Sequence, residues 1–554
     1  MKINNVLMIF LLFCLPSITV VAESLPHNFF RQEKKIYRIA KEIDLAGEII
    51  QLPSDVTIKF KRKGKLTNGG LIGDHAIIIS DKRVRFDDNF CFGGTFDCAF
   101  EYEWLYESSC TVIDTTINIY GKEYKVKTAK GMNQWKNIQT VFGRLNNAFP
   151  ELHFNKSYVL DNPNGETKTS ANILQITDRV ENMIISGGVF HNAGLAFYNW
   201  SNIVIKDLFI IGRYHDYSDN SIDLNWTEFH KEDGQSLGYN AVGIQLTSSM
   251  FNSATNSNAL VENVSIKNCY NGVSIGRWTG QDKKIRTVEN VTVNDCIVTN
   301  VVYHSYLTCN CNNIQFNRNV GRNSYLGMYV DISRGSSNVQ CSYGYGENFP
   351  QPFKIASNNE YLLTENCIIS SNHVVVNSIL NECTLDPSII VSGNGLCKII
   401  NNEIVYEDNY GVTMFSIESH KESSYILENN RFSNSPFYSF VRYTVANNGD
   451  SKSNIVLKDN IVDCKYDGKT LYGVIIDDLR KEEHRTDIIA DFSNNIINSS
   501  NLYPAKLQLL RRQGYSKSKF TGKLIFKDNV HPFVVQELPL LQKMSSGAVE
   551  LEVK

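Results

Sequence analysis

The sequence predicts an all-β solenoid: parallel strands stacked coil upon coil, with a short helix near the start of the stack and a β-rich cap before it. Three observations lead there. The stretch Val261-Glu262-Asn263-Val264-Ser265-Ile266-Lys267-Asn268-Cys269 returns 27 positions later as Val288-Glu289-Asn290-Val291-Thr292-Val293-Asn294-Asp295-Cys296, and such a period marks one supersecondary unit stacked on the next. Within each copy apolar and polar residues alternate, the period of a strand and not of a helix. Drifted copies, among them Ile203-Val204-Ile205-Lys206-Asp207, Ile426-Leu427-Glu428-Asn429-Asn430 and Val456-Leu457-Lys458-Asp459-Asn460, end in Asn or Asp. Asn tolerates left-handed backbone angles, and its amide can bond the turn or the Asn one coil away. The competing architecture, a β-sandwich with Asn-rich hairpins, needs no fixed period.

The chain divides into residues 1–22, a cap over 23–130, the solenoid over 131–535 and a tail over 536–554. Lys2, the apolar run Val6 to Phe13 and Val20-Val21-Ala22 read as a secretory signal peptide, so the product is expected to be exported to the periplasm or outside the cell. Between Ile43 and Gly73, short apolar runs are punctuated by Gly47, Pro53-Ser54-Asp55 and Asn68-Gly69-Gly70, the pattern of short strands and tight turns. This is either a separate β cap or the first coils. Residues 80–112 are aromatic and acidic and read as a packed irregular segment. Residues 133–147 form the best helix, with Asn133 as N-cap and Trp135, Ile138, Phe142, Leu145 and Phe149 on one apolar stripe; a helix there can cover the exposed end of a solenoid. Pro150 to Leu160 reads as strand–turn–strand.

A formal net charge of −3 gives no basic excess for nucleic acid or an anionic membrane surface, and the apolar run at the start is too short and interrupted to span a membrane. Of 13 cysteines, Cys269 and Cys296 occupy matching points of two copies and are expected as buried free thiols. Cys91/Cys98 and Cys309/Cys311 are bridges or neighbours. No Cys/His cluster has zinc-site spacing.

The helix with Ile138-Gln139, then Leu152-His153-Phe154 and Ser157-Tyr158-Val159-Leu160, resembles the entry to the pectate-lyase-like superfamily of single-stranded right-handed parallel β-helices. Where that family has an Asp/Thr-rich helix start this chain has Asn133-Gln134-Trp135, and where it has Pro and Gly this chain has Asn155-Lys156-Ser157. The resemblance implies a right-handed β-helix over residues 150 to 530, of about a dozen coils at this period, and most often an enzyme acting on a polysaccharide.

Alternate strand residues of such a coil point outward and line a groove. Arg277 and His304 each follow a copy of the repeat by the same interval and should be neighbours. In Met328-Tyr329-Val330-Asp331-Ile332 the alternation places Tyr329 and Asp331 outside, and Lys354 projects outward from the next strand. Arg277, His304, Asp331 and Lys354 form a candidate column, with Tyr329 and Arg334 beside it to bind substrate. Asp331 would act as general acid with His304 assisting proton transfer. A lyase would instead draw its base and its uronate-neutralising cation from Lys354, Arg334 and Arg277, and calcium enters as a cofactor only in that case. The segment Gly212 to Asn240 interrupts the repeat and carries Asp223, a second catalytic carboxylate, and Trp226, a stacking surface for sugar rings. The paired-Asp plus Gly-His-Gly constellation of polygalacturonases is missing from the sequence. The functional expectation is a carbohydrate-active enzyme, a glycoside hydrolase ahead of a polysaccharide lyase, with a non-catalytic glycan-binding β-helix as the rival. Its partner is a polysaccharide, with no nucleic acid and no metal in the hydrolase case.

Overall fold

The computed structural model describes residues 29–553, except 120–121, 164–172, 213–241, 249–255, 277–285, 325–326, 358–362, 378–387, 408–412, 419–421, 438, 446–449, 466–469, 479–484, 500–505, 514–518 and 530–548. Parallel strands stack into a right-handed β-helix. One wall is a twelve-stranded sheet running from Ile173–Ile176 through Asn271–Gly276, Tyr306–Cys309, Met328–Ser333 and Gln351–Ala356 to Lys506–Gln513. Two further parallel ladders close the coil. One passes through Val288–Asn294, Cys311–Asn317 and Ser337–Ser342, the other through Ile297–Val301, Val320–Ser324 and Tyr345–Phe349. Val549–Val553 pairs with Lys519–Lys527, so residues past 535 also join a ladder.

Inward positions stack in register. Val273, Tyr306, Val330 and Phe353 lie beside one another on four successive coils, each fully buried. Each removes roughly 2 kcal/mol worth of apolar surface from water. The corners are made by asparagine. Asn263, Asn290, Asn313, Asn401 and Asn429 all have φ between 51° and 58°, an angle Asn adopts at low cost. Their amides then run along the stack: Asn313 donates to Asn290 (2.7 Å), Asn290 to Asn258 (3.1 Å) and Asn258 to Asn202 (2.8 Å). A second, buried ladder links Asn372, Asn402, Asn430, Asn460, Asn495 and Asn529 through amide bonds of 2.9–3.0 Å.

The register departs from the repeat in the sequence. Val261 pairs with Val293, and Val264 lies beside Ile297, whose N–H donates to it. The two Val-Glu-Asn-Val copies therefore sit at different phases of their coils, because coil length varies. Cys269 and Cys296 are nonetheless both buried free thiols. Cys91, Cys98, Cys309 and Cys311 are free as well.

The cap is built from parallel strands, Ile36–Ile39 beside Thr57–Phe60 beside Gly70–Ile79. Ala99–Glu101 pairs with Glu151–Val159 of the main stack, and one hydrophobic core runs from Phe30 to Phe526. The cap thus shares its core with the main stack, although its strands form sheets of their own. The segment expected to be irregular contains two strands, Cys91–Phe96 and Ala99–Glu101, locked by ring contacts such as Phe96 stacked on Phe149 at 4.4 Å. An antiparallel hairpin, Cys110–Ile119 with Lys122–Gly131, was not anticipated. Glu151–Val159 is one strand with a bulge after Phe154, not two strands and a turn.

The helix spans Trp135–Leu145 with its apolar stripe buried. The N-cap position is Gln134, not the expected Asn133, and it makes no side-chain cap bond; Asn133, one residue earlier, accepts from the Trp135 N–H through Oδ1 at 3.0 Å. It packs against Ile173–Ile176, the first strand of the twelve-stranded sheet, and Gln139 donates to the Gln175 carbonyl at 3.2 Å. It therefore covers the open edge of that sheet at the start of the stack.

Candidate active site on the covered sheet face

Strands of the two ladders alternate between buried and partly exposed positions, as Val288–Asn294 does. Three adjacent strands of the twelve-stranded sheet do not: every residue of Asn271–Gly276, Tyr306–Cys309 and Met328–Ser333 is buried. Over these strands the outward face is covered. The sheet's first eight strands carry two charged side chains in all, Asp331 and Lys354. These two are register partners on adjacent coils.

His304 joins them from the turn that enters the Tyr306–Cys309 strand. Its Nδ1 accepts the Met328 backbone N–H at 3.2 Å. The ring proton therefore resides on Nε2, which lies 3.3 Å from Asp331 Oδ2. Burial pulls the imidazole down to about 4, with Asp331 opposing that shift and Lys354 adding to it. Lys354 Nζ lies 3.7 Å from the same Oδ2. Both donors thus converge on one carboxylate oxygen. Among the described residues the other, Oδ1, is buried and has no hydrogen-bond partner.

Aromatic rings flank the cluster. Tyr303 meets His304 edge-on at 4.5 Å and stacks on Tyr270 at 5.5 Å. Cys309 stands in the neighbouring outward column, its sulfur 3.9 Å from the Ser333 hydroxyl. Burial pushes its thiol far up, which removes it as a nucleophile at neutral pH. Arg334 is half-buried where the Asp331 strand ends, and burial lowers its guanidinium from the ordinary value.

One strand of each sheet per coil, parallel throughout, decides the architecture. The fold is a single-stranded parallel β-helix. No family model matches the sequence, and no curated protein matches it. Among solved structures the chain is similar to the A-module of the mannuronan C-5 epimerase AlgE4 of Azotobacter vinelandii, at 11% identity over 76% of this chain and 96% of that one, with a TM-score of 0.41. It is similar to the tailspike protein of E. coli bacteriophage HK620 in complex with a pentasaccharide, at 10% identity over 76% and 75%, TM-score 0.44. A third is DFA-IIIase from Arthrobacter chlorophenolicus A6 in complex with GF2, at 11% identity over 55% and 84%, TM-score 0.35.

Of the residues the sequence singles out, the structure brings His304, Asp331 and Lys354 together, with Arg334 at the strand end. Tyr329 is a correction. It is fully buried inside the coil, donates to the Asn319 carbonyl at 2.7 Å and packs on Phe349. It occupies a corner where strict alternation lapses: Met328 and Val330 have register partners and Tyr329 has none. A Cβ on Gly344 would collide with its hydroxyl, so glycine makes its room. The expected adjacency of Arg277 and His304 involves a residue outside the described ones. His304 lies beside Asn271, whose Oδ1 accepts its N–H at 3.0 Å, at the start of a strand that ends in Gly276, just before Arg277. Arg277, Asp223 and Trp226 themselves fall outside the described residues. Tyr270, Tyr303 and the Met328 N–H were not foreseen. A scan for charge within successive strands of one wall would have isolated Asp331 and Lys354, but the turn residues carry no such signal.

The donor set does not suit calcium, which takes six or more oxygens; Asp331 here faces an ammonium and an imidazole. Among the described residues no group of three or more His, Cys, Asp or Glu is placed to hold a metal ion, and no helix is long and apolar enough to cross a membrane.

Proposed function

We propose that this chain breaks glycosidic bonds in a polysaccharide on the covered face of the twelve-stranded sheet, with Asp331 moving the proton. The observation that carries this is the bare Oδ1 of a buried carboxylate whose other oxygen takes both donors. An unpaired buried carboxylate oxygen costs free energy, so a purely structural ion pair gains by satisfying both oxygens. Oδ1 is instead available to a substrate C–H or O–H.

Elimination fits the described residues better than hydrolysis. Asp331 takes the proton beside a uronate carboxylate, Lys354 and Arg334 neutralise that carboxylate, the C–O bond breaks as a C=C bond forms, and the leaving oxygen takes its proton from water while Asp331 later returns its own to solvent. His304, neutral, orients the base without sharing its proton load. Hydrolysis would need a second carboxylate about 5–10 Å away, and the eight strands around Asp331 supply none. Asp223 keeps hydrolysis as the second reading, since sequence alone places it in a long insertion. An exported location, proposed from residues 1–22, would put the chain where such glycans occur.

The test incubates the purified full chain with alginate, polygalacturonate, hyaluronan and neutral glycans, following both ultraviolet absorbance of unsaturated products and new reducing ends. Unsaturated product that disappears in Asp331→Asn supports the proposal. Reducing ends without absorbance move the reaction to hydrolysis. No product on any glycan from folded protein removes the enzyme reading in favour of a binder.

A further inference from the structure

The cap carries a charge imbalance that the catalytic face does not use. Residues 31–65 hold 10 Lys and Arg against 5 Asp and Glu, a net +5 in a chain of net −3, so the rest of the protein carries −8. The fold concentrates these cations. Arg38 and Lys59 are register partners on adjacent strands, and the Lys61 N–H bonds the Ile39 carbonyl, which brings the Lys61-Arg62-Lys63 turn beside Ala40 and Lys41. Arg38, Lys59, Lys61, Arg62 and Lys63 are all exposed. The ion pairs that form further along the cap are His75–Asp97, Arg83–Asp81 and Arg85–Asp81. Among the described residues none reaches those five cations.

Three isoleucines share this face: Ile36 at 57% exposure, Ile77 at 37% and Ile79 at 47%. Ile79 is the register partner of Lys59, and Thr57 lies between Ile36 and Ile77. Neighbouring strands are about 4.8 Å apart and like-facing residues on one strand about 7 Å apart. The result is a flat grid of positive charge with apolar strips in it. Such a grid complements a linear polymer that bears an anion on successive units and offers apolar C–H faces between them.

We propose that the outer face of the cap, centred on Arg38, Lys59 and Lys61, is a docking surface for an acidic polysaccharide. Single-stranded nucleic acid is held by bases stacked on exposed aromatic rings, and the rings of this sheet, Tyr37 and Phe60, are buried at 5% and 6% exposure. The surface lies outside the twelve-stranded sheet. It binds without cleaving, so it does not depend on the cleavage reading. Its role is to hold a polyanion that the remaining surface, net negative, repels.

The experiment measures binding of the full chain to immobilised alginate and heparin across a salt series. It compares native protein, Arg38→Gln/Lys59→Gln/Lys61→Gln, and a control of equal charge change at exposed Lys130, Arg431 and Lys452. The expected result is binding that weakens with salt and falls about tenfold or more in the cap variant, while the control stays within about twofold. Equal loss in both variants, or no binding by native protein, overturns the proposal. So does tighter binding to duplex DNA, or to vesicles containing anionic phospholipid, at the same salt. Asp331→Asn separates the two ideas: it leaves this binding intact even if it abolishes cleavage. A native protein that binds polyanion and cleaves nothing keeps the surface and sinks the active site.

Discussion

His304 ties the site to a measurable pH dependence. Burial holds its folded-state pKa at about 4 against an ordinary 6.5. The unfolded chain therefore binds a proton, as pH falls below 6.5, that the folded chain refuses. Stability contributed by the neutral ring is full above 6.5 and is lost as pH falls toward 4. The slope is about 1.4 kcal/mol per pH unit, giving a loss of about 2 kcal/mol at pH 5 and about 3 kcal/mol at pH 4. The groups facing the ring are the Asp331 carboxylate, the Lys354 ammonium, the edge of Tyr303 and the Met328 N–H. The assay is urea unfolding of native protein and His304→Gln at pH 7, 6 and 5. Gln does not titrate, so the stability gap between the two should narrow by about 2 kcal/mol from pH 7 to pH 5. His191, also lowered by burial, contributes to both proteins and cancels. Ring-nitrogen chemical shifts supply a direct check, with Nε2 protonated and Nδ1 bare down to pH 5. A gap that stays constant, or a ring that takes a second proton near pH 6.5, would refute the buried neutral tautomer and with it the assignment of Oδ1 as the reactive oxygen.

Further consequences can be checked separately. Asn430→Ala removes acceptor and donors from the buried ladder, leaving the Asn402 N–H and the Ile399 carbonyl without partners; the cost should be about 2–4 kcal/mol, seen as lost amide-exchange protection in the flanking coils. Lys354→Met leaves Asp331 with His304 alone and should destabilise by about 2 kcal/mol, while Asp331→Asn/Lys354→Met recovers most of that loss in a double-mutant cycle. Alkylation of the native protein should modify, among the described cysteines, Cys91, Cys98 and Cys110, and denaturation should release the eight buried ones. Burial pushes Cys269, Cys296, Cys311, Cys341 and Cys397 up to about 12, so rapid native labelling at any of them contradicts the packed interior.

The solenoid was legible because its corners are local chemistry. An Asn at the end of an apolar run specifies a left-handed residue wherever it falls, and Asn263, Asn290 and Asn429 take that conformation. Register was not legible, because it depends on how much chain each coil spends between corners. Val291 lies beside Ile314, a coil of 23 residues, whereas Val456 lies beside Asp491, a coil of 35. The visible repeat of 27 therefore aligned Val264 with Val291, whereas the structure sets Val264 beside Ile297. Asp331 and Lys354 escaped that misalignment, since their orientation follows from alternation within single strands. Tyr329 defeated alternation at a corner, where room left by glycines in other coils decides which way a ring turns. His304 entered the cluster through a turn, by a backbone N–H from Met328 on the following coil, a contact that no spacing rule contains.

The separation of charge along the molecule bears on how it would work. Eight consecutive strands of the covered wall hold one acid and one amine, whereas the cap exposes a dense cationic face and the remaining chain is net negative. Few fixed charges near Asp331 keep the local dielectric low, so the interactions of Lys354 and His304 with a developing negative charge are strong there. The same poverty of charge makes the covered wall a poor attractor of a polyanion from solution. On the proposed reading capture and chemistry ask for different surfaces, and the cationic cap and the covered wall would supply them separately. If the cap variant lost binding yet cleaved short oligosaccharides at the native rate, the two tasks would be separate; if short and long substrates slowed together, the cap would be part of the reaction site and the covered wall would need another account.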